Sequence, residues 1–180
     1  MPIAASDIKW KLSTTAGSAG NSNPQANPND SLGKYISTTE IVDATLNNLF
    51  DDISGDENVN MTVDYRCIFI HNSHASLTYI SPVVWISSEV SGGANAAIGV
   101  DPAVASDIGS SSAQAAEIAD ENSAPAGVTF SSPTTKGTGL ALGNLAPGQC
   151  RAVWIRRTAT NSAPINNDGV TLRVEGDTMA

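Results

Sequence analysis

Between Thr138 and Arg157 the chain reads TGLALGNLAPGQCRAVWIRR, a stretch that few folds accept. Leu140, Leu142 and Leu145 alternate with small residues. Pro147 presets φ, and Gly148 is free to take a positive φ, the pair that a tight turn needs. Beyond the turn, Ala152 and Trp154 fall on one face of an extended strand, with Val153 and Ile155 on the other. A strand apolar on one side and mixed on the other belongs at the centre of a sheet that packs on a second sheet. The leucines before the turn then plug one end of that sandwich.

The remaining strands gather around this one. In DYRCIFIHN, Tyr65, Cys67 and Phe69 share one face, Arg66, Ile68 and Ile70 the other, and Asn72-Ser73 ends the run. Leu77 to Ser87 (LTYISPVVWIS) predicts a strand pair or one interrupted strand, with Pro82 at an edge or bulge and Val83 and Trp85 on a common face. Weak strands are expected at Ala97 to Val100 and from Val128 to Phe130. TNSAPINND reads as a hairpin-like loop, and GVTLRVEGD as the last strand, with Val170, Leu172 and Val174 inward. Ala113 to Ile118 suits one short helical turn, and DDISGDENVN an acidic turn. Thr39 to Asp52 has two readings: a helix capped by Thr38 or Thr39, or two short strands, which the β-rich surroundings favour. Strands at this spacing, with no strong amphipathic helix between them, predict an all-β fold: an immunoglobulin-like antiparallel β-sandwich.

The N-terminal part reads differently. Ile3, Ile8, Trp10 and Leu12 supply one short strand, but Ser13 to Ser31 contains no large apolar residue. Such a segment buries too little to offset its ordering entropy. The sequence therefore divides into an extended N-terminal arm (1–40) and a β-sandwich domain (41–180).

With 18 acidic residues against 9 basic ones, the formal net charge is −9, which leaves no electrostatic footprint for nucleic acid. Charged residues make up only 15% of the chain, below the usual share for soluble domains, which suits short strands with many turns or a surface that neighbouring subunits cover. No run is apolar enough for a signal peptide or a membrane span, so synthesis in a cytoplasm with reduced cysteines is the expectation.

Few residues offer chemistry. Cys67, Trp85 and Cys150 follow the Cys, Trp, Cys order of an immunoglobulin domain, at a longer spacing. A reducing compartment favours two unpaired thiols over a disulfide. His71 and His74 lack the further ligands that a zinc site needs and read as surface residues of a strand end. Asp51, Asp52, Asp56 and Glu57 lack an EF-hand frame and read as a solvated turn. Arg66, Arg151, Arg156, Arg157 and Arg173 lie on or beside strands, placed for internal or intersubunit pairs with the acidic excess. No hydrolase, nucleotide-binding or metalloprotease motif is present. The expectation is a non-enzyme, with no catalytic residue, cofactor or metal.

The segments DIKWKLSTTAG, NPNDSLGKYISTTEI, LFDDISGDE, DYRCIFIHNSHASL, VVWIS, ENSAPAGVTFSSP, LALGNLAPGQCRAVWIRRTA and TLRVEGDT span nearly the whole chain. Together they resemble a group of tailed-bacteriophage virion structural proteins. The resemblance implies a small β-sandwich made in the host cytoplasm and built into the virion, as a head decoration or cement protein. Its partners would be the major capsid protein and neighbouring copies of itself, with no nucleic acid and no membrane. Residues 1–40 would clamp the partner, and the residues expected at that contact are Ile8, Trp10, Leu12, Asn23, Pro24, Pro28, Tyr35, Arg156 and Arg157. A tail, baseplate or neck protein and a carbohydrate-binding module for host attachment are the alternative readings.

Overall fold

The turn forms as its residues dictate. Gln149 donates its N–H to the Ala146 carbonyl at 3.0 Å, and Gly148 takes φ +76°. Proline second and glycine third in such a turn is the type II arrangement. The computed structural model describes residues 2–178. Its strands are β1 (Ile8–Thr14), β2 (Tyr35–Glu40), β3 (Val63–Asn72), β4 (Tyr79–Glu89), β5 (Asn95–Val100), β6 (Ser106–Asp107), β7 (Leu140–Ala141), β8 (Gln149–Thr158) and β9 (Val170–Thr178), with one α-helix, α1 (Gly55–Asn60). The larger sheet runs β2-β1-β3-β8-β5, with β6 also on β8, and the smaller runs β7-β4-β9. Every pairing is antiparallel, and the architecture is an all-β sandwich.

β8 is central, with β3 on one side and β5 and β6 on the other. Its period-two alternation feeds two cores. Val153 and Ile155 meet Ile68, Ile70, Ile98, Val84 and Ile86 between the sheets, and Leu142 and Leu145 join them there, fully buried. Ala152 and Trp154 meet Ile36, Cys67, Phe69, Ala115 and Ile118 on the opposite face of the larger sheet. Strands apolar on both faces need cover on both. The smaller sheet covers one face of β3 and β8, and irregular chain covers the other.

That cover corrects the expected arm. β1 lies inside the larger sheet, with Trp10 opposite Ile70 and Leu12 opposite Ile68, and β2 pairs on its far side. The polar segment between them is held by hydrogen bonds rather than by apolar burial. Ser31 Oγ donates to the Cys67 carbonyl at 2.6 Å, and Cys67 N–H returns a bond to the Ser31 carbonyl at 2.8 Å. Gly20 N–H reaches Ser110 O at 2.9 Å, and Lys34 N–H reaches Ala116 O at 3.0 Å. Of the expected arm, residues 8–40 are thus part of the sandwich, and residue 40 ends a strand rather than an arm. Buried backbone polar groups must pair, and a Ser- and Asn-rich segment does that without apolar side chains.

Other expectations shift as well. Residues 41–54 are irregular, neither strand pair nor helix. The acidic turn instead holds α1, capped by Ser54: its hydroxyl accepts from Glu57 N–H, and the Glu57 carboxylate accepts from Ser54 N–H. Residues 113–118 are irregular rather than helical, because Gln114 and Ala115 donate to the Lys34 carbonyl. Residues 128–130 form no strand; Ser131 alone bridges to Ile98. Residues 159–169 are no hairpin, since they carry the chain from one sheet to the other. Pro82 does sit at an irregularity, where the β4–β9 register shifts between Ile80 and Val83. Val83 and Trp85 do share a face, and Val84 and Ile86, on the other, meet the core between the sheets.

Cys67 and Cys150 are free and buried. Both face the second core from neighbouring strands of one sheet, with Cys67 opposite Trp154 and Cys150 opposite His71. An immunoglobulin disulfide joins two sheets; this pair does not.

Candidate functional site

A sheet edge is a row of unpaired backbone groups, and folds that stay monomeric protect it. Among the described residues every edge but one is covered or short, β6 being only two residues long. Along β2, Asn21 N–H reaches Ile36 O at 2.6 Å and Thr38 N–H reaches Asn23 O at 2.9 Å. Along β5, Ile98 and Ser131 exchange bonds at 2.8 and 3.0 Å, and Ser132 Oγ donates to Ala96 O at 2.8 Å. The β7 edge is two residues long. The remaining edge, β9, is nine residues long and pairs only with β4.

The free groups of β9 can be placed. Ile86 of β4 donates its N–H to Pro133 O at 2.8 Å, away from β9. In an antiparallel ladder the opposite residue then also turns its N–H and C=O outward. That residue is Leu172, and Val174 follows two positions on in the same register. Leu172 and Val174 therefore offer backbone donors and acceptors to the open edge, while their side chains pack against the core between the sheets. Arg173 and Glu175 point to solvent. Glu175 pairs with Lys136 at 3.3 Å, and Arg173 makes no ion pair among the described residues.

Beside this edge lies a groove of about 370 Å³, lined mainly by Ile3, Ile8, Trp10, Tyr79, Leu172 and Val174. β1 supplies Ile8 and Trp10, opposite Leu172 and Val174 of β9 across the groove. An open edge with an apolar groove alongside has the form of a strand-addition site: main-chain bonds supply affinity, and alternate side chains enter the groove.

The residues expected at a partner contact separate accordingly. Ile8 and Trp10 line the groove, half-buried. Pro24 is exposed, and Asn23 lends its carbonyl to the β2 edge. Pro28 opens a short 3-10 helix beside a second, smaller depression. Leu12 and Tyr35 are interior, the Tyr35 hydroxyl donating to Ser111 O at 3.1 Å. Arg156 lies over the Phe130 ring at 5.5 Å. Arg157 is buried on Asp64 at 2.6 Å and on Asp51 at 3.1 Å, with its guanidinium 4.8 Å from the Phe50 ring. Leu12, Tyr35 and Arg157 thus have little surface to give a partner. The sequence reading missed the β9 edge; its alternation was visible, but its place at the end of a sheet is a long-range property.

The other candidates are structural. Among the described residues no three His, Cys, Asp or Glu side chains gather to hold a metal ion. Glu57 caps α1, and its Ser54 hydrogen bonds hold its carboxyl below the usual range. His74 is a turn residue whose Nδ1 accepts from Ser76 and Leu77. His71, expected at the surface, is buried, and burial with the nearby Lys11 ammonium lowers its pKa to about 4. Burial likewise pushes the Cys150 thiol up to about 12 and the Cys67 thiol well up. Trp85 and Trp154 are interior, so neither serves a sugar-binding platform. Comparison with protein-family models, with curated proteins and with solved structures finds no match to this chain.

Proposed function

We propose that this chain is a non-enzymatic structural protein of a tailed-bacteriophage particle, a head decoration or cement protein that binds across major capsid subunits and beside copies of itself. The virion assignment rests on the sequence resemblance. The docking mode rests on one observation, the open β9 edge next to the Trp10 groove. The contact is therefore assigned to β9 and the start of β1. Within the expected clamp, residues 1–40, the polar segment 13–31 is occupied in covering the protein's own second core.

An edge of this kind takes an extended segment from the partner, as a fourth strand of the smaller sheet. Its inward side chains would be apolar, to meet Ile8, Trp10 and Leu172. An acidic residue on its outer face would answer Arg173.

The test is the copy number of this chain against the major coat protein in purified particles. One copy per coat subunit, or one to a few per capsomer, supports head decoration. A ratio of a few per cent moves the protein to the tail, baseplate or neck. Absence from particles overturns the virion reading and leaves the sandwich as a free binding domain.

A further inference from the structure

Lysine side chains are seldom buried without a reason. Lys11, on β1, is 8% exposed, and its amine donates to the Asn21 side-chain oxygen at 2.8 Å. Asn21 is itself fixed: it takes φ +57°, and its own N–H is held by the Ile36 carbonyl at 2.6 Å. An amine on β1 in contact with a carboxamide in a turn pinned to β2 is a nucleophile held beside an electrophile.

The surroundings add what the chemistry needs. On the same face of the sheet, Lys9 stands opposite His71, and Cys150 stands opposite His71 from the other side. His71 is 6% exposed, and neither ring nitrogen has a hydrogen-bond partner. Across β2, Glu40 is opposite Lys11 and pairs with Lys9 at 3.5 Å. Burial is the larger influence on Lys11 and favours its neutral, nucleophilic amine. Burial likewise keeps His71 unprotonated.

We propose that Lys11 and Asn21 form an intrachain isopeptide bond. Lys11 Nζ attacks Asn21 Cγ, and a C–N bond forms. His71 takes the proton from Nζ and returns it to Nδ2. The Cγ–Nδ2 bond then breaks, and ammonia leaves. One amine and one primary amide thus become one secondary amide and ammonia, with no oxidant, metal or cofactor required. The bond ties β1 to the polar segment that covers the second core. This assignment is independent of the docking site on β9.

Intact-mass spectrometry of the purified full-length protein tests it. The expected mass is below the sequence mass by one ammonia, with trypsin unable to cut after Lys11 and fragment ions joining Lys11 to Asn21. Lys11→Arg and Asn21→Ala restore the full mass, and His71→Gln accumulates the linked form more slowly than the parent. A folded parent that keeps its full mass through prolonged incubation overturns the cross-link. So does an ammonia deficit that maps elsewhere while trypsin still cuts after Lys11. A His71→Gln chain that links as fast as the parent overturns the proton relay.

Discussion

Trp154 donates its indole N–H to Asp101 Oδ2 at 2.8 Å, inside the second core. The same carboxylate accepts from Ala116 N–H at 2.9 Å and, through Oδ1, from Ala103 N–H at 2.8 Å. Asp101 is 1% exposed. One buried side chain therefore anchors the central strand β8 to the irregular layer that covers it. Asp101→Ala leaves three donors unpaired, and the expected loss is about 3 kcal/mol or more. Urea unfolding followed by Trp fluorescence reads it; a loss near zero would show that water replaces the carboxylate.

Gly33 ties the same layer from the other side. It takes φ +93°, and a Cβ there would stand 1.9 Å from the Ala116 carbonyl oxygen. Both the conformation and the contact exclude a side chain. Gly33→Ala is expected to cost about 2 kcal/mol or more, seen as a melting temperature lower by several degrees. An unchanged melting temperature would mean that the 15–34 segment contributes little to stability.

His71 sets a pH dependence. Its pKa falls from 6.5 in the unfolded chain to about 4 in the folded one. Between these values the unfolded state binds more protons, so stability rises with pH. The contribution is present above about pH 6.5 and is lost as pH falls through about 4, with a size on the order of 2–3 kcal/mol. Burial is the larger cause, so the sign holds whether or not Lys11 keeps its charge. Urea midpoints measured across this window should climb for the parent and flatten for His71→Gln; parallel curves would exclude His71 as the source.

The β9 edge separates docking from folding. Val174→Pro removes an outward N–H and leaves the ladder to β4 intact, which an edge strand tolerates. Particle occupancy is expected to fall at least about tenfold, with the melting temperature within about 4 °C of the parent. Arg173→Glu, on an exposed side chain, is the gentler variant and should weaken occupancy without affecting folding. Full occupancy by both would remove β9 from the contact.

What the sequence disclosed followed from range. The alternations of Cys67 to Ile70, Ala152 to Ile155 and Val170 to Val174 are local, and each strand and its facing followed from them. The Pro147-Gly148 turn is local too. The second core was hidden, because its cover is held by pairs such as Ser31 with Cys67 and Gly20 with Ser110, which composition does not reveal. α1 left a cue in Ser54 and Glu57, the ends of a capping box, but no apolar period accompanied it. Of the residues expected at a contact, Ile8 and Trp10 line the groove, whereas Leu12, Tyr35 and Arg157 lie inside. Strand order decided which, and strand order is set by pairing across the whole chain.

Among the described residues, two sheet edges are covered and β6 and β7 are two residues long, which leaves β9 as the one long open edge. A sandwich open on two sides can pass a strand pairing from copy to copy and grow into a fibre. Here β2 and β5 are capped by the chain's own polar segments, and β7 is too short to template an addition. On the proposed docking mode, a strand received at β9 therefore finds no second long open edge of this chain to pair with.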